Sequence, residues 1–145
     1  MASRIQTTNG ELSESLRQTG GRIVKVINDA MGVAMKDVLK RARDYVPVEE
    51  HKVEAAIKLG NENRRRTWYV YVDTAMPDDT GNYTVGDYAM WLHEDQTYNL
   101  GKDSLAKDAG RRVVGPKYLD RAFNEVINDD FVDKLREMAK QYGVF

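Results

Sequence analysis

The chain has 145 residues, 41% of them hydrophobic and 31% charged, a composition typical of one folded domain rather than a disordered tail. Lysine plus arginine number 22 and aspartate plus glutamate 23, so the net charge of -1 excludes binding to nucleic acid through overall charge. The absence of cysteine excludes disulfides, thiolate zinc sites and cysteine nucleophiles. No stretch approaches the ~20 apolar residues of a membrane span and no secretory signal is visible, so we expect a protein made and assembled in the cytoplasm, with no membrane contact.

The first half of the chain predicts a polar arm followed by a long helix. Residues 1–21 are polar and end in Gly20-Gly21, which indicates a break in regular structure. From Arg22 to Tyr45, apolar residues recur every three or four positions, which predicts an α-helix about 36 Å long. Val46-Pro47 ends it, because the residue before a proline disfavours helical geometry.

The next segments predict an antiparallel hairpin. Apolar and polar residues alternate over positions 53–59, which indicates a half-buried strand. The segment "RRRTWYVYVDT" predicts a second strand, with Trp68 on the inner face and Tyr69 and Tyr71 on the outer one. Residues 76–87 then contain a dense cluster of turn formers.

The second half of the chain predicts a strand, a loop and a helix. "DYAMWLHE", residues 87–94, fits a third strand or a helical turn, and we favour the strand. Residues 96–114 are polar and far longer than an ordinary connection, so they are interpreted as an extended loop that engages a partner. Apolar residues from Tyr118 to Tyr142 predict a long helix, bent at Asn128-Asp129-Asp130. The fold class is therefore α+β: a long N-terminal and a long C-terminal helix on a small antiparallel β-sheet, with a long polar loop, in a single domain over residues 1–145.

No credible active site is predicted. The neighbouring side chains of His93 and Glu94 should diverge on either a strand or a helix, so they are not expected to share a metal or a proton path. The other histidine, His51, is not brought near them by the pattern. Ser104 lacks the glycine-flanked turn of a serine nucleophile, and its Ser-x-x-Lys spacing to Lys107 is too common to carry weight. We therefore expect no enzyme, no catalytic residue, no cofactor and no metal.

Basic and aromatic clusters remain as candidate contact surfaces. The basic residues favour solvated turns, with contact to DNA phosphates as the alternative. The aromatic residues favour a subunit interface over base stacking, because tyrosine is common in interfaces. The possible DNA-facing residues are Arg64, Arg65, Arg66, Lys102 and Lys107. The predicted interface residues are Tyr69, Tyr71, Tyr88, Trp91, His93, Glu94, Tyr98, Leu100, Leu105, Arg111, Arg112 and Lys117.

Three short motifs, in this order, resemble the tail-completion and minor-capsid family of head-to-tail joining proteins in tailed bacteriophages. They are Val46-Pro47-Val48, Tyr88-Ala89 followed by His93-Glu94, and Tyr118-Leu119-Asp120-Arg121-Ala122. The likeness covers residues 22–127, although Glu49-Glu50-His51-Lys52 replaces the acidic-Thr-Gly turn common in the family.

The resemblance implies a non-enzymatic structural protein of the virion neck that forms a homo-oligomeric ring around the DNA channel. Its implied partners are further copies of itself, portal, adaptor or stopper proteins, the tail tube or tail terminator, and genomic double-stranded DNA in weak, non-specific contact. A tail-terminator ring is an alternative within this class, and a small DNA-binding regulator is an alternative from another class. If residues 96–114 only engage a partner, deleting Asp103–Gly110 should leave the monomer folded.

Overall fold

The computed structural model describes residues 9–48, 52–64, 66–78, 80–97 and 99–143. It confirms the predicted α+β class: a long N-terminal helix, a two-stranded antiparallel sheet and a C-terminal helical segment. The elements in chain order are α1 (Asn9–Tyr45), α2 (Val53–Ala56), β1 (Ile57–Glu62), β2 (Thr67–Val72), α3 (Gly86–Glu94), α4 (Lys102–Asp108), α5 (Tyr118–Glu125), a π-helical segment (Val126–Asp130) and α6 (Phe131–Gln141). None of the helices in the described part of the chain is long and apolar enough to cross a bilayer.

Helix α1 spans 37 residues, about 55 Å, and runs without interruption through Gly20-Gly21. The predicted break there is wrong, because the described residues from Asn9 onward are helical through both glycines. Two glycines cost a helix roughly 1 kcal/mol each, but the preceding turn carries supporting pairs, with Glu14 bonded to Arg17 at 3.2 Å and to Gln18 at 3.3 Å. The helix ends at Tyr45, as the following proline predicts.

Strands β1 and β2 form the predicted hairpin, with Ile57 paired to Val72 and Leu59 to Val70. As predicted, Tyr69 and Tyr71 lie on its outer, exposed face, while the alternate residues of β2 are partly buried. The first strand begins later than predicted, because residues 53–56 form a helical turn. Val53, Ala56 and Ile57 are all completely buried. They are three and four positions apart, which is helical spacing, although the alternation of apolar and polar residues in the same stretch also fits a strand.

The predicted third strand is wrong, since residues 86–94 form helix α3. Val85, Ala89 and Leu92 are its buried residues, at helical spacing. Gly86 allows the start of α3 to pack directly against the backbone of Thr74. Any other residue would place a Cβ atom 2.9 Å from the carbonyl oxygen of Thr74, which is too close.

The polar stretch 96–114 is not an extended loop, because it contains α4 and joins the folded body. Ser104, Asp108 and Val114 are buried. The Lys107 ammonium reaches the end of α1, where it donates hydrogen bonds to the carbonyl oxygens of Arg43 and of Val46, the latter at 2.9 Å. Deletion of residues 103–110 is therefore expected to unfold the protein, contrary to the sequence-based expectation.

The last helical segment packs antiparallel to α1. The predicted irregularity at residues 128–130 falls in the π-helical segment between α5 and α6. At the start of α6, Arg41 is 2.5 Å from Asp130, and just after its end the Tyr142 hydroxyl donates to Asp29 at 2.6 Å. The later residues of this segment thus contact the earlier residues of α1, so the two helices run in opposite directions. The central core cluster includes Ala34, Val38 and Ala42 of α1 with Tyr118, Ala122 and Val126 of the C-terminal segment.

Replacing Lys107 with methionine tests the role of α4 as a cap on α1. The variant keeps the aliphatic length but loses hydrogen bonds to two carbonyl oxygens, and hydrogen bonds to charged groups contribute about 1.5–3 kcal/mol each. We expect the free energy of unfolding in urea to fall by about 3 kcal/mol or more. Lys102→Met, at an exposed position of the same helix, is the matched control and should change it little. Equal stability of the two variants would contradict the cap.

Candidate assembly surface

Residues in or next to the three motifs, far apart in sequence, are joined by hydrogen bonds at one place in the fold. The backbone N–H of Gly115 donates to the carbonyl of Tyr45 at 2.8 Å, and the N–H of Lys117 donates to that of His93 at 2.7 Å. The Tyr118 hydroxyl, buried in the core, donates to the carbonyl of Ala89 at 3.1 Å. The end of α1, the end of α3 and the start of α5 are thereby tied together.

The side chains of His93 and Glu94 do not diverge as predicted. Nδ1 of His93 lies 2.8 Å from Oε1 of Glu94. Glu94 is the last residue of α3 and its side chain is long, so its carboxylate turns back to the imidazole and also contacts the ammonium of Lys117. Lys117 first, and His93 second, hold the pKa of Glu94 below its usual value. His93, Glu94 and Lys117, all predicted interface residues, form one charged cluster at the motif junction.

The other nitrogen of His93, Nε2, is buried and has no hydrogen-bond partner among the described residues. The nearest carboxylate oxygen, Oδ1 of Asp120, is 3.9 Å away, and the imidazole packs edge-on against Tyr118 with ring centroids 4.9 Å apart. With Nδ1–H donated to Glu94, a neutral imidazole presents Nε2 as an acceptor.

The side chain of His93 borders a cavity of about 390 Å³ with a mainly apolar lining. Its lining residues are Val72, Thr74, Gly86, Ala89, Met90, His93, Glu94, Tyr118, Leu119 and Asp120. A metal site needs several convergent ligands, and the described residues contain no group of three or more His, Asp or Glu side chains placed to hold an ion.

Asp108 organises the far end of the polar segment, and sequence reasoning missed it. Its buried carboxylate accepts hydrogen bonds from the backbone N–H groups of Arg112, Val113 and Val114 at 2.7–2.9 Å. These bonds, that from Val114 first, lower the pKa of Asp108. Arg111 closes the same turn, because its guanidinium donates to the last carbonyls of α4. A signal for the helix end was present in Gly110, because glycine commonly follows the last turn of a helix.

The other predicted interface residues differ in their exposure. Tyr69 and Tyr71 are 38% and 40% exposed, and their rings are 5.5 Å apart on the outer face of the hairpin. Trp91 and Leu105 are 52% and 57% exposed on α3 and α4. Tyr88 and Leu100 are partly buried, whereas Tyr98 lies outside the described residues. The predicted interface residues thus fall into two groups. The exposed aromatic and aliphatic side chains are accessible for contact, whereas His93, Glu94 and Lys117 contact one another at the motif junction.

The predicted DNA-facing residues also differ in their exposure. Arg64, Arg66 and Lys102 are exposed, and Arg65 lies outside the described residues. Lys107 does not face outward, since its ammonium is bonded to α1 and lies 2.8 Å from a carboxylate oxygen of Glu54. Its assignment as a DNA contact is therefore wrong.

No family model, curated protein or solved structure matches this chain. The likeness to head-to-tail joining proteins therefore depends on the short motifs and their order.

The depressed pKa of Asp108 predicts a pH-dependent contribution to stability. A carboxylate whose pKa is lower in the folded than in the unfolded protein stabilises the fold above its unfolded pKa, about 3.9, and this contribution disappears as the pH falls through the folded value. Asp108→Asn should therefore lower the urea midpoint at pH 7, and the difference from the wild type should shrink below about pH 4. Asp129→Asn, at an exposed position, serves as the control. A difference that stays constant down to the acid transition would contradict the assignment.

Proposed function

We propose that this chain is a non-enzymatic structural protein of the neck of a tailed-bacteriophage virion, where it forms a homo-oligomeric ring around the DNA channel as a head-tail connector or tail-completion component. The observation that supports the proposal is that residues in or next to the three motifs are joined in one hydrogen-bonded junction. Tyr118 and Ala122 of the last motif are buried in the core, as is Ala89 of the second. Motifs that build a core junction fit a scaffold for assembly better than a reaction centre.

Exposed apolar positions on different sides of the body support self-assembly. Tyr69 and Phe123, which is 44% exposed, border a groove of about 300 Å³ between α1, β2 and α5. Met90, which is 68% exposed, borders the cavity beside His93, and Leu105 lies on α4. Leu119 and Asp120 line both hollows, so the two hollows are neighbours at the start of α5. A closed ring needs two different contact surfaces on each subunit, and the hollows beside α5 and the exposed Leu105 on α4 are candidates for them.

The charge distribution suits a passage for DNA. The net charge is -1, and three of the five predicted DNA-facing residues, Arg64, Arg66 and Lys102, are exposed. Many strong phosphate contacts would hold DNA in place, because each adds to a salt-dependent affinity. Weak contacts let the duplex slide. Neighbours in the virion would be portal, adaptor or stopper proteins on one side, and a tail tube or tail terminator on the other.

Leu105→Lys tests whether the 96–114 segment contacts a neighbouring copy. Burying a new ammonium in a subunit contact should weaken the assembly at least about 10-fold without unfolding the monomer. Mass by light scattering and negative-stain images of the purified protein report the assembly, and circular dichroism reports the fold. Val132→Lys, at a 51% exposed apolar position of α6, is the matched control.

If Leu105→Lys forms the same rings as the wild type, the 96–114 segment is not part of the subunit contact. Monomers alone in the wild type, together with virions whose neck lacks density for this chain, would reject the proposed function. A salt-sensitive shift of labelled DNA at physiological ionic strength would instead support the DNA-binding regulator.

A further inference from the structure

The first half of α1 presents an apolar face that nothing in the described part of the chain covers. Taking 100° per residue, four large residues of this half lie within an arc of about 60°. They are Leu12, Leu16, Ile23 and Ile27, which are 50%, 65%, 38% and 43% exposed. Ala30 and Ala34, both completely buried, fall in the same arc further along the helix. The exposed stripe is therefore the core-facing side of α1, continued beyond the body.

The packing of α6 on α1 leaves this stripe open. α6 runs antiparallel to α1, from the pair between Asp130 and Arg41 to the bond between Tyr142 and Asp29. At its end, Tyr142 contacts Asp29 and Lys25, which lie about 130° or more from the centre of the arc, so α6 leaves α1 on a different side from the stripe.

We infer that the occupant is the same face of a second copy, so that two α1 arms pair antiparallel about a two-fold axis. The stripe is self-complementary in this direction. With the axis between Thr19 and Gly20, Leu12 of one copy lies opposite Ile27 of the other, and Leu16 lies opposite Ile23. The crossing point has small side chains, and a Cβ at Gly20 would meet no atom within 4 Å, so the two backbones can approach closely there.

The charges of the arm agree with this pairing. Its charged residues lie about 100° or more from the centre of the arc, so the pairing buries none of them. They are Glu11, Glu14, Arg17, Arg22 and Lys25. An unpaired buried charge would oppose association by several kcal/mol, and this arm avoids that cost.

This two-fold contact goes beyond the proposed ring. An isologous contact closes at two copies, whereas a ring contact joins two different surfaces. The pairing also needs no phage partner, so it holds or fails independently of the virion role.

Single cysteines test the pairing directly, because the natural chain has none. In the antiparallel arrangement the two copies of residue 19 face each other at the axis, within disulfide range, whereas the two copies of residue 12 are about 22 Å apart. Thr19→Cys should therefore give a disulfide-linked dimer under mild oxidation, and Leu12→Cys should not. The readout is a non-reducing gel of the full chain, which is independent of whether rings also form.

A second pair of variants measures the affinity. Leu16→Lys places an ammonium in the stripe of both copies and should weaken dimerisation at least about 100-fold in sedimentation equilibrium. Gln18→Lys adds the same charge on the opposite side of the helix and should leave it unchanged. Cross-linking of Leu12→Cys as efficient as that of Thr19→Cys, or equal association of Leu16→Lys and Gln18→Lys, would overturn the inference.

Discussion

The second half of α1 is the surface on which the rest of the fold depends. Ala30, Ala34 and Ala42 are completely buried there, and their small side chains let other elements approach the helix closely. The hairpin packs on one side of this half, while α5 and α6 pack on another. The first half has the same amphipathic pattern but lacks such a cover in the described structure, which makes it the natural place for contact with another molecule.

The polar segment 96–114 shows how charged residues can complete a fold. Lys107 supplies donors to carbonyl oxygens at the end of α1, and Asp108 supplies acceptors to three backbone N–H groups. Backbone groups at helix ends and turns lack partners of their own, so such side chains stabilise a segment with little apolar content. The same segment leaves Leu105 exposed on its outer side, so structural and contact roles are divided among neighbouring residues.

The histidine at the motif junction illustrates the difference between a reactive-looking pair and a structural one. His93 is oriented by Glu94 through one nitrogen and packs against Tyr118, so the imidazole is held in place on two sides. Its second nitrogen is buried with no hydrogen-bond partner among the described residues, and the side chain borders a mainly apolar cavity.

The sequence by itself determined the features that depend on local pattern: the α+β class, the hairpin with Tyr69 and Tyr71 outward, the end of α1 before Pro47, and the irregularity after α5. The sequence-based prediction was wrong where a helix and a strand both fit the same residues, as at Val53–Ala56 and in α3. In such short segments the positions of the apolar residues agree with the spacing of a helix and with the alternation of a strand. Only the structure showed that Gly20-Gly21 stays helical and that His93 meets Glu94. The tertiary structure alone decided that Lys107 joins 96–114 to the end of α1, because that contact unites residues whose proximity no local spacing encodes.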